Sequence, residues 1–278
     1  MAFISSKQLK PVLKFDKFEY KYLSPFIYKS NDNYSLLYCN RKDQSKFYGE
    51  INLASSKNLF DWKKNKKFIL KPNLRKNYLS YISPNLFKFS NYYLLFIEAQ
   101  KKNQSDIICY QSKKLNDWKI YKNFKISKKN HHFQSPFIYK IKNKFFLYYS
   151  HNRKKIKCLI LDEKLNILNR FTCITGNSHD ENFSIYSPSI IKLNSMYYMF
   201  YAAWKNINMG NIKIAFSKNG INWEKKHKEI FTLENGVKII SEPFVLKFKK
   251  NLYIFFEYKK NSLWNISYKK LKLTNILF

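Results

Sequence analysis

Glu242 stands directly before a proline in the stretch ISEPFVLKF, and a glutamate in this position is a candidate for proton transfer. A carboxyl group acts as a general acid or base when its environment tunes its pKa, and a second carboxyl supplies the complementary role. The acids expected on the same face are Glu98, Glu257, Asp180 and Glu181. We therefore take Glu242, Glu98, Glu257 and Asp180 as candidate catalytic residues. The alternative for each is a structural role, in which the carboxylate orders a loop, pairs with a lysine or hydrogen-bonds the adjacent strand.

Seven further side chains on the predicted face are candidates for ligand binding. They are Arg41, Gln134, His132, His151, Tyr186, Trp204 and Glu181. Arg41, His151 and the nearby Arg153 are cations that could hold a phosphate or a carboxylate, because arginine presents a planar fork to such oxyanions. Trp204 could stack on a ring of the ligand, or it could act as a wedge between structural units.

The histidines do not follow the spacing of a metal site. His131 and His132 are adjacent, so they point to opposite faces of an extended chain, and His179 is followed by Asp180 and Glu181 without an HxH or HxxxH spacing. The four cysteines show no CxxC spacing either. The sequence therefore predicts neither a metal nor a cofactor.

An internal repeat supplies the elements that must position these residues. Five stretches share a proline-containing strand, a polar turn and an aromatic strand: YLSPFIYKSNDNYSLLYCN, YISPNLFKFSNYYLLFIEA, FQSPFIYKIKNKFFLYYSH, YSPSIIKLNSMYYMFYAAW and ISEPFVLKFKKNLYIFFEY. Their prolines, Pro25, Pro84, Pro136, Pro188 and Pro243, are 59, 52, 52 and 55 residues apart. A period of this length is typical of one four-stranded propeller blade.

The repeat predicts an all-β fold, a five-bladed β-propeller of four-stranded antiparallel blades with repeats starting near residues 22, 81, 133, 185 and 240. We expect a single domain over residues 1–278. In the second repeat the alternation of side chains predicts strands at 85–89, 92–98, 106–111 and 118–124. The last repeat shows only three strands, so the N-terminal KPVLKFD is expected to add the fourth and close the ring. The residues before each proline and at the end of each second strand then converge on one face.

The formal net charge of +34 points to a nucleic-acid partner as one option. The lysines are scattered over every repeat, and the abundance of Lys, Asn, Ile, Phe and Tyr is what an AT-rich genome imposes, so a solvated basic surface is the simpler interpretation. No run approaches the roughly 20 apolar residues of a membrane helix, and the N-terminus has no apolar core of signal-peptide length. We expect no membrane span and a cytoplasmic location.

Two motifs together carry a family resemblance. The strand pair YSPSIIKLNSMYYMFYAAW is followed by IKIAFSKNGINW, and the turn SKNGINW has counterparts in SKNLFDW and SKKLNDW. Over essentially its whole length the chain resembles the five-bladed propellers of the furanosidase-type glycoside hydrolases, which include family 43, the invertases and the mannoside phosphorylases. The motifs are specific for the fold and only weakly so for an activity.

The resemblance also implies where acids should stand. Those hydrolases resemble one another in an Asp before the proline of the first blade, a second Asp in the next blade and a Glu near the proline of the third. Here these positions hold Ser24, Ser83 and the pair Gln134-Ser135, so the usual catalytic acids are absent from them. Glycoside hydrolysis ordinarily needs two carboxyl groups, and Glu242 is the only carboxylate directly before a repeat proline.

These observations predict a carbohydrate-active propeller that acts on an intracellular glycan or activated sugar, by hydrolysis, phosphorolysis or transfer, with surface polysaccharide biosynthesis as one setting. One alternative is a propeller that has lost the chemistry and binds a glycan or sugar nucleotide. Another is a basic scaffold for nucleic acid or protein, which salt-sensitive retention on a polyanion would reveal. The expected ligand is a carbohydrate or a sugar phosphate.

Overall fold

The computed structural model describes residues 4–16, 21–30, 33–41, 48–66, 69–124, 131–177 and 179–271. In this part of the chain there is one 3₁₀ turn, Leu74–Lys76, and no α-helix; accordingly, no helix there is long and apolar enough to cross a membrane. In chain order the strands are β1 (Ile4–Ser5), β2 (Lys21–Ser30), β3 (Asn33–Arg41), β4 (Glu50–Ser56), β5 (Lys63–Lys64), β6 (Ser80–Phe89), β7 (Tyr92–Gln100), β8 (Ser105–Ser112), β9 (Lys119–Phe124), β10 (Phe133–Ile141), β11 (Lys144–His151), β12 (Lys155–Leu161), β13 (Ile167–Thr175), β14 (Ser184–Leu193), β15 (Met196–Asn206), β16 (Met209–Ser217), β17 (Glu224–Glu229), β18 (Phe231–Thr232), β19 (Val237–Phe248), β20 (Asn251–Lys260) and β21 (Leu263–Leu271).

Each repeat folds as an antiparallel meander, as the alternation predicts. β6 to β9 form one four-stranded sheet and β10 to β13 another. The remaining repeats join in one extended sheet, in the order β14, β15, β16, β19, β20, β21, β2, β3, β4 and β5, with β17 paired to β16. The junctions in this sheet are single parallel pairs, Gly210 with Ile239 and Lys21 with Trp264. At each of these two junctions, only one pair of residues joins the backbones of neighbouring repeats.

The first strand of every repeat runs through its proline by means of a β-bulge. The antiparallel register shifts at each of the five prolines, which takes the proline out of the ladder, so its missing N–H costs no hydrogen bond. The residue before each proline has a positive φ between 49° and 56°; these residues are Ser24, Ser83, Ser135, Ser187 and Glu242. The strand predicted at 85–89 accordingly begins earlier, at Ser80, because the bulge accommodates Pro84.

The N-terminal segment lies beside the fifth repeat. Val12 N donates to Ile266 O at 2.8 Å, and Ser267 Oγ donates to Lys10 O at 2.7 Å. Residues 10–12 thus run along β21, where KPVLKFD was expected, whereas Lys14 and Asp16 contact Lys64 of the first repeat. None of these residues forms a regular strand. The assigned strand β1 pairs in parallel with β18 of the fourth repeat instead.

Aromatic side chains fill the space between neighbouring sheets, and the SKNGINW turn shows how one sheet is fixed to the next. Trp223 packs edge-on against Tyr148 of the third repeat at 5.9 Å between ring centroids, and Tyr148 Oη donates to Gly220 O at 2.7 Å. Gly220 has a φ of +76°, and a Cβ there would lie 2.6 Å from Ile141 Cδ1. This position therefore needs glycine for both conformation and space.

Candidate active site

Three glutamates lie near the bulges of the second and fifth repeats. Glu98 and Glu257 occupy matching positions on the second strands, and Glu242 lies in the bulge of the fifth repeat. In the register Glu98 pairs with Ile82 and Glu257 pairs with Ser241, and each partner directly precedes the positive-φ residue of its repeat. The prediction that Glu98 and Glu257 occupy the same place is confirmed. All three glutamates are buried, at 1 %, 7 % and 4 % exposure for Glu98, Glu242 and Glu257.

Glu98 and Glu257 each make the same contact with a neighbouring repeat. Ser135 N donates to Glu98 Oε2 at 3.0 Å, and Ser24 N donates to Glu257 Oε2 at 3.2 Å. Ser241 Oγ donates to the second oxygen of Glu257 at 2.7 Å. Each of these glutamates therefore holds the bulge of the neighbouring repeat in place.

Two glutamine side chains complete the surroundings of Glu98. Gln134 Nε2 donates to Glu98 Oε1 at 3.1 Å, and Gln100 Nε2 donates to the same oxygen at 2.8 Å. A carboxylate that accepts three N–H groups has a fixed orientation. The charge of Glu98 also acts on the nearby His132. Burial lowers the pKa of His132, the charge of Glu98 opposes this effect, and Arg153 adds to it.

Glu242 takes the place that a serine occupies in the other four repeats. Ser83 Oγ of the second repeat donates to Glu242 Oε2 at 3.4 Å. Burial raises the pKa of Glu242 to about 7, the negative charge of Glu98 acts in the same direction, and Arg153 and the serine hydroxyls oppose it. Burial and the charge of Glu242 also raise the pKa of Glu257 well above its usual value. Near neutral pH Glu242 is thus balanced between its two protonation states, which suits general acid–base catalysis.

Arg153 is the cation that faces these glutamates. Its guanidinium carbon lies 4.8 Å from the centroid of the Tyr186 ring, and its charge lowers the pKa of both Glu242 and Glu257 against the larger effect of burial. Burial and the charge of Glu257 raise the pKa of Tyr186 well above its usual value. We refer to Glu98, Glu242, Glu257 and Arg153 as the glutamate site.

The five bulges line a small cavity next to the glutamate site. It has a volume of about 20 Å³, and Glu242 is the only acid among its described lining residues. Non-glycine residues at positive φ cost on the order of 1 kcal/mol each and gather at functional sites. Five of them at one cavity indicate that the fold keeps this geometry against a conformational cost.

Trp204 and Arg41 end their second strands at equivalent places, but their surroundings differ. Trp204 lies between Phe183 and Trp264, whose ring centroids are 6.1 and 6.3 Å away at interplanar angles of 16° and 12°. Both faces of the indole are covered, so stacking on a sugar requires a neighbour to move. Arg41 lies beside Cys39, where it opposes the burial that raises the pKa of this thiol to about 12.

The histidines form contacts with one another at the edge of the third repeat. His131 Nδ1 and His151 Nε2 are 3.1 Å apart, and His132 Nδ1 is 3.5 Å from Ser105 Oγ. Burial lowers the pKa of His151, with further contributions from Lys157 and His131. Over the residues for which the structure gives positions, no group of three or more His, Cys, Asp or Glu is arranged to hold a metal ion.

Asp180 and Glu181 belong to a different group of charges. Lys213 Nζ lies 3.2 Å from Asp180 Oδ2 and 3.8 Å from Glu181 Oε1, and Lys225 Nζ lies 2.8 Å from Glu181 Oε2. Tyr201 Oη donates to Glu181 Oε1 at 2.8 Å. Burial raises the pKa of Asp180 and of Glu181. The contacts with the lysines and Tyr201, and the hydrogen bond between His179 and Asp180, outweigh burial and hold the pKa of both carboxyls below their usual values. We call Asp180, Glu181, Lys213 and Lys225 the lysine-paired cluster.

The sequence pattern missed both lysines of this cluster. Lys213 is 1 % exposed and stands in the apolar strand GNIKIAF. A lysine in an otherwise apolar strand is a signal for a buried acidic partner, because an unpaired buried ammonium is costly. Ser83 was missed as a partner of Glu242 because cross-repeat hydrogen bonds leave no mark in the spacing. Ser241 was missed although it lies opposite Glu257 within the fifth repeat.

Comparison with known proteins agrees with this architecture. Residues 7–162, more than half of the chain, match the family model for the glycosyl hydrolases family 32 N-terminal domain. No curated protein sequence matches the chain.

Solved structures of similar fold cover nearly the whole chain. A thermostable family-43 glycoside hydrolase is 17% identical with a TM-score of 0.74, over 91% of this chain and 90% of that one. A putative glycoside hydrolase from Parabacteroides distasonis is 11% identical with a TM-score of 0.79, over 98% and 97%. An α-L-arabinanase of Cellvibrio cellulosa, solved with arabinohexaose, is 12% identical with a TM-score of 0.74, over 91% and 93%. The fold is therefore a furanosidase-type β-propeller, and the chain belongs to the family of the glycosyl hydrolases family 32 N-terminal domain.

Proposed function

We propose that the chain is a carbohydrate-active enzyme that cleaves or transfers a glycosidic bond, with Glu242 as the residue that moves the proton. The observation that carries this proposal is a buried glutamate with a pKa of about 7, next to a second buried glutamate. A general acid must hold its proton at the working pH and release it to the leaving oxygen. Glu242 meets this condition near neutral pH.

Glu98 is the partner that fits best. Its carboxylate is oriented by three N–H donors, and its charge is felt by Glu242. In this mechanism Glu98 attacks the sugar or activates water, a role that requires a separation of about 5 to 10 Å between the two carboxyl groups. Glu257 holds Ser24 of the first repeat, so we assign it a positioning role.

We infer that the five repeats are the five blades of one closed ring within a single domain. Two contacts at the junction of the fifth and first repeats support this proposal. Ser24 N donates to Glu257 Oε2, and residues 10–12 lie along β21. In such a ring the residues before the five prolines point towards the axis, which explains why their bulges line one cavity.

We propose a glycan as the substrate. Arg153, the cation of the glutamate site, faces carboxylates and the Tyr186 ring, which favours a sugar without a charged group over a sugar phosphate. A cytoplasmic location and a role in the biosynthesis of surface polysaccharides stay predictions from the sequence. Cell fractionation with an antibody to the chain tests the location.

The test is turnover of a panel of aryl glycosides and polysaccharides, with and without inorganic phosphate, followed by release of phenol or of reducing sugar. We expect turnover by the wild-type protein and its loss in Glu242→Gln. Glu224→Gln, which changes an exposed glutamate of β17, is the control and keeps the wild-type rate. Wild-type turnover that persists unchanged in Glu242→Gln refutes the assignment.

A glycan-binding protein without catalysis is the second candidate. One observation favours it: Glu98 and Glu257 both use their carboxylates to hold the adjacent repeat. Affinity electrophoresis in gels that contain single polysaccharides separates the candidates. Retention of the wild-type protein without turnover of the retained polysaccharide between pH 5 and 8 supports binding alone.

A further inference from the structure

A second cavity lies between the sheets of the second and third repeats, and none of its lining residues belongs to the glutamate site. Its volume is about 200 Å³, below the roughly 300 to 1,000 Å³ of sites for drug-sized ligands, so only a small ligand fits it. Phe124 at the end of β9 forms one wall. Phe133 and Tyr149 of the third repeat form the other, with their rings 4.7 Å apart and at an angle of 7°.

Two cations line the same cavity, Lys157 on β12 and Arg170 on β13. In the register Lys157 lies between Tyr149 and Thr172, so its side chain shares the sheet face that carries the Tyr149 ring. No acid is among the described residues that line the cavity, and within the described ranges neither cation forms an ion pair with a carboxylate. The cavity thus combines flat apolar walls with two positive charges that no described carboxylate pairs.

We propose that this cavity binds a small organic anion that carries a phosphate or carboxylate on a flat apolar ring. The ring lies against Phe124, Phe133 and Tyr149, where it removes aromatic surface from water. The anionic group meets Lys157 and the planar fork of Arg170. This site is separate from the proposed glycan chemistry and does not depend on it.

The test uses calorimetry with four probes: phenyl phosphate, benzoate, benzyl alcohol and inorganic phosphate. We expect phenyl phosphate or benzoate to bind at least about tenfold more tightly than benzyl alcohol and inorganic phosphate, because only they meet both walls and cations. The order of phenyl phosphate and benzoate shows which anionic group the site prefers. The proposal is overturned if neither phenyl phosphate nor benzoate binds more tightly than inorganic phosphate, since scattered surface lysines bind any small anion.

Substitutions locate the binding within the cavity. Arg170→Ala and Lys157→Ala each weaken the binding of the preferred probe by about tenfold, the value of one charge-assisted hydrogen bond. Lys144→Ala removes the same charge from an exposed position of β11 and leaves the affinity unchanged. Thr172→Trp fills the cavity while both cations remain, and it abolishes binding at an unchanged melting temperature. Wild-type affinity in Arg170→Ala and Lys157→Ala contradicts the site, even if Thr172→Trp proves unstable.

Discussion

The glutamate site and the lysine-paired cluster contain equally buried carboxyls with opposite electrostatics. Glu242 is 7 % exposed and Glu181 is 2 % exposed. The pKa of Glu242 is raised to about 7, whereas the pKa of Glu181 lies below its usual value. The difference is the partner, because Lys225 Nζ is 2.8 Å from Glu181, while Glu242 faces other glutamates. Burial alone therefore does not decide the protonation state of an acid in this chain.

The net charge of +34 makes an acid with a raised pKa unusual in this chain. Lysines are available almost everywhere on such a surface, and each one near a carboxylate stabilises its charged form. An acid that keeps its proton at neutral pH has to be placed where the fold excludes lysines. The bulge before Pro243 and the serines before the other prolines provide such a place.

The largest expected effect is on catalysis. Glu242→Gln removes the titrating proton and keeps the shape of the side chain, so turnover of the best glycan substrate falls by about 10²- to 10⁴-fold. The measurement is kcat/KM on that substrate, with far-ultraviolet circular dichroism to confirm the fold. An equal loss in the exposed control Glu224→Gln shows that the effect is not specific to the site.

A large effect on stability is expected in the other group. Lys213→Met removes the buried cation that Asp180 and Glu181 share, whereas Lys225 still pairs with Glu181, so the loss in the free energy of unfolding is about 1.5 to 3 kcal/mol. Urea denaturation at pH 7 measures it. Lys205→Met changes an exposed lysine at the end of β15 and serves as the control, with a change within about 0.5 kcal/mol. A small loss in Lys213→Met contradicts the view that lysines hold these acids ionised.

The pH dependence of stability separates the two groups by its sign. The folded protein binds more protons at Glu242 than the unfolded chain does between the usual pKa of 4.5 and about 7. This contribution is fully present below pH 4.5 and is lost as the pH rises through 7, by up to about 3 kcal/mol. The contribution of Glu181 to stability has the opposite sign, because its pKa is lowered in the folded protein. This contribution is present above the usual glutamate pKa and is lost as the pH falls through the lowered pKa of the folded state.

Single variants isolate these contributions in urea denaturation at a series of pH values. Glu242→Gln flattens the fall in stability between pH 4.5 and 7. Glu181→Gln leaves that fall in place and removes the loss of stability that Glu181 causes on acidification. The same slope in wild type and Glu242→Gln is inconsistent with a raised pKa at Glu242.

The smallest expected effect concerns Ser83. Ser83→Ala removes the 3.4 Å hydrogen bond to Glu242 Oε2, which favours the charged form, so the pKa of Glu242 rises further. The basic limb of the pH–rate profile then moves to higher pH. A downward shift contradicts the direction assigned to this contact.

The repeat formula was sufficient to predict the strands of each sheet and the equivalence of Glu98 and Glu257, because both follow from period-2 alternation and spacing. It could not predict that the strand beginning at Ser80 continues through Pro84, since the bulge depends on the positive φ of Ser83. The hydrogen bonds from Ser135 and Ser24 to the two glutamates join different repeats. Such contacts depend on how the sheets are arranged, and alternation along one strand carries no information about this.

The candidate site was predicted in part for the same reason. Glu242 was recognised from its place before Pro243, but Asp180 was proposed as its partner from loop position alone. The structure gives Asp180 contacts with Lys213 and His179 instead. Trp204 was expected to end its strand, whereas β15 continues to Asn206, and the rings of Phe183 and Trp264 that stack near it come from other segments.

The most direct test of the account is the pKa of Glu242 itself. Carboxyl ¹³C NMR of glutamate-labelled protein, titrated from pH 4 to 9 and compared with Glu242→Gln, identifies the resonance that the substitution removes. We expect this resonance to titrate with a midpoint of about 7. A midpoint below about 5 would place Glu242 with ordinary surface carboxylates and would contradict its role as the proton donor.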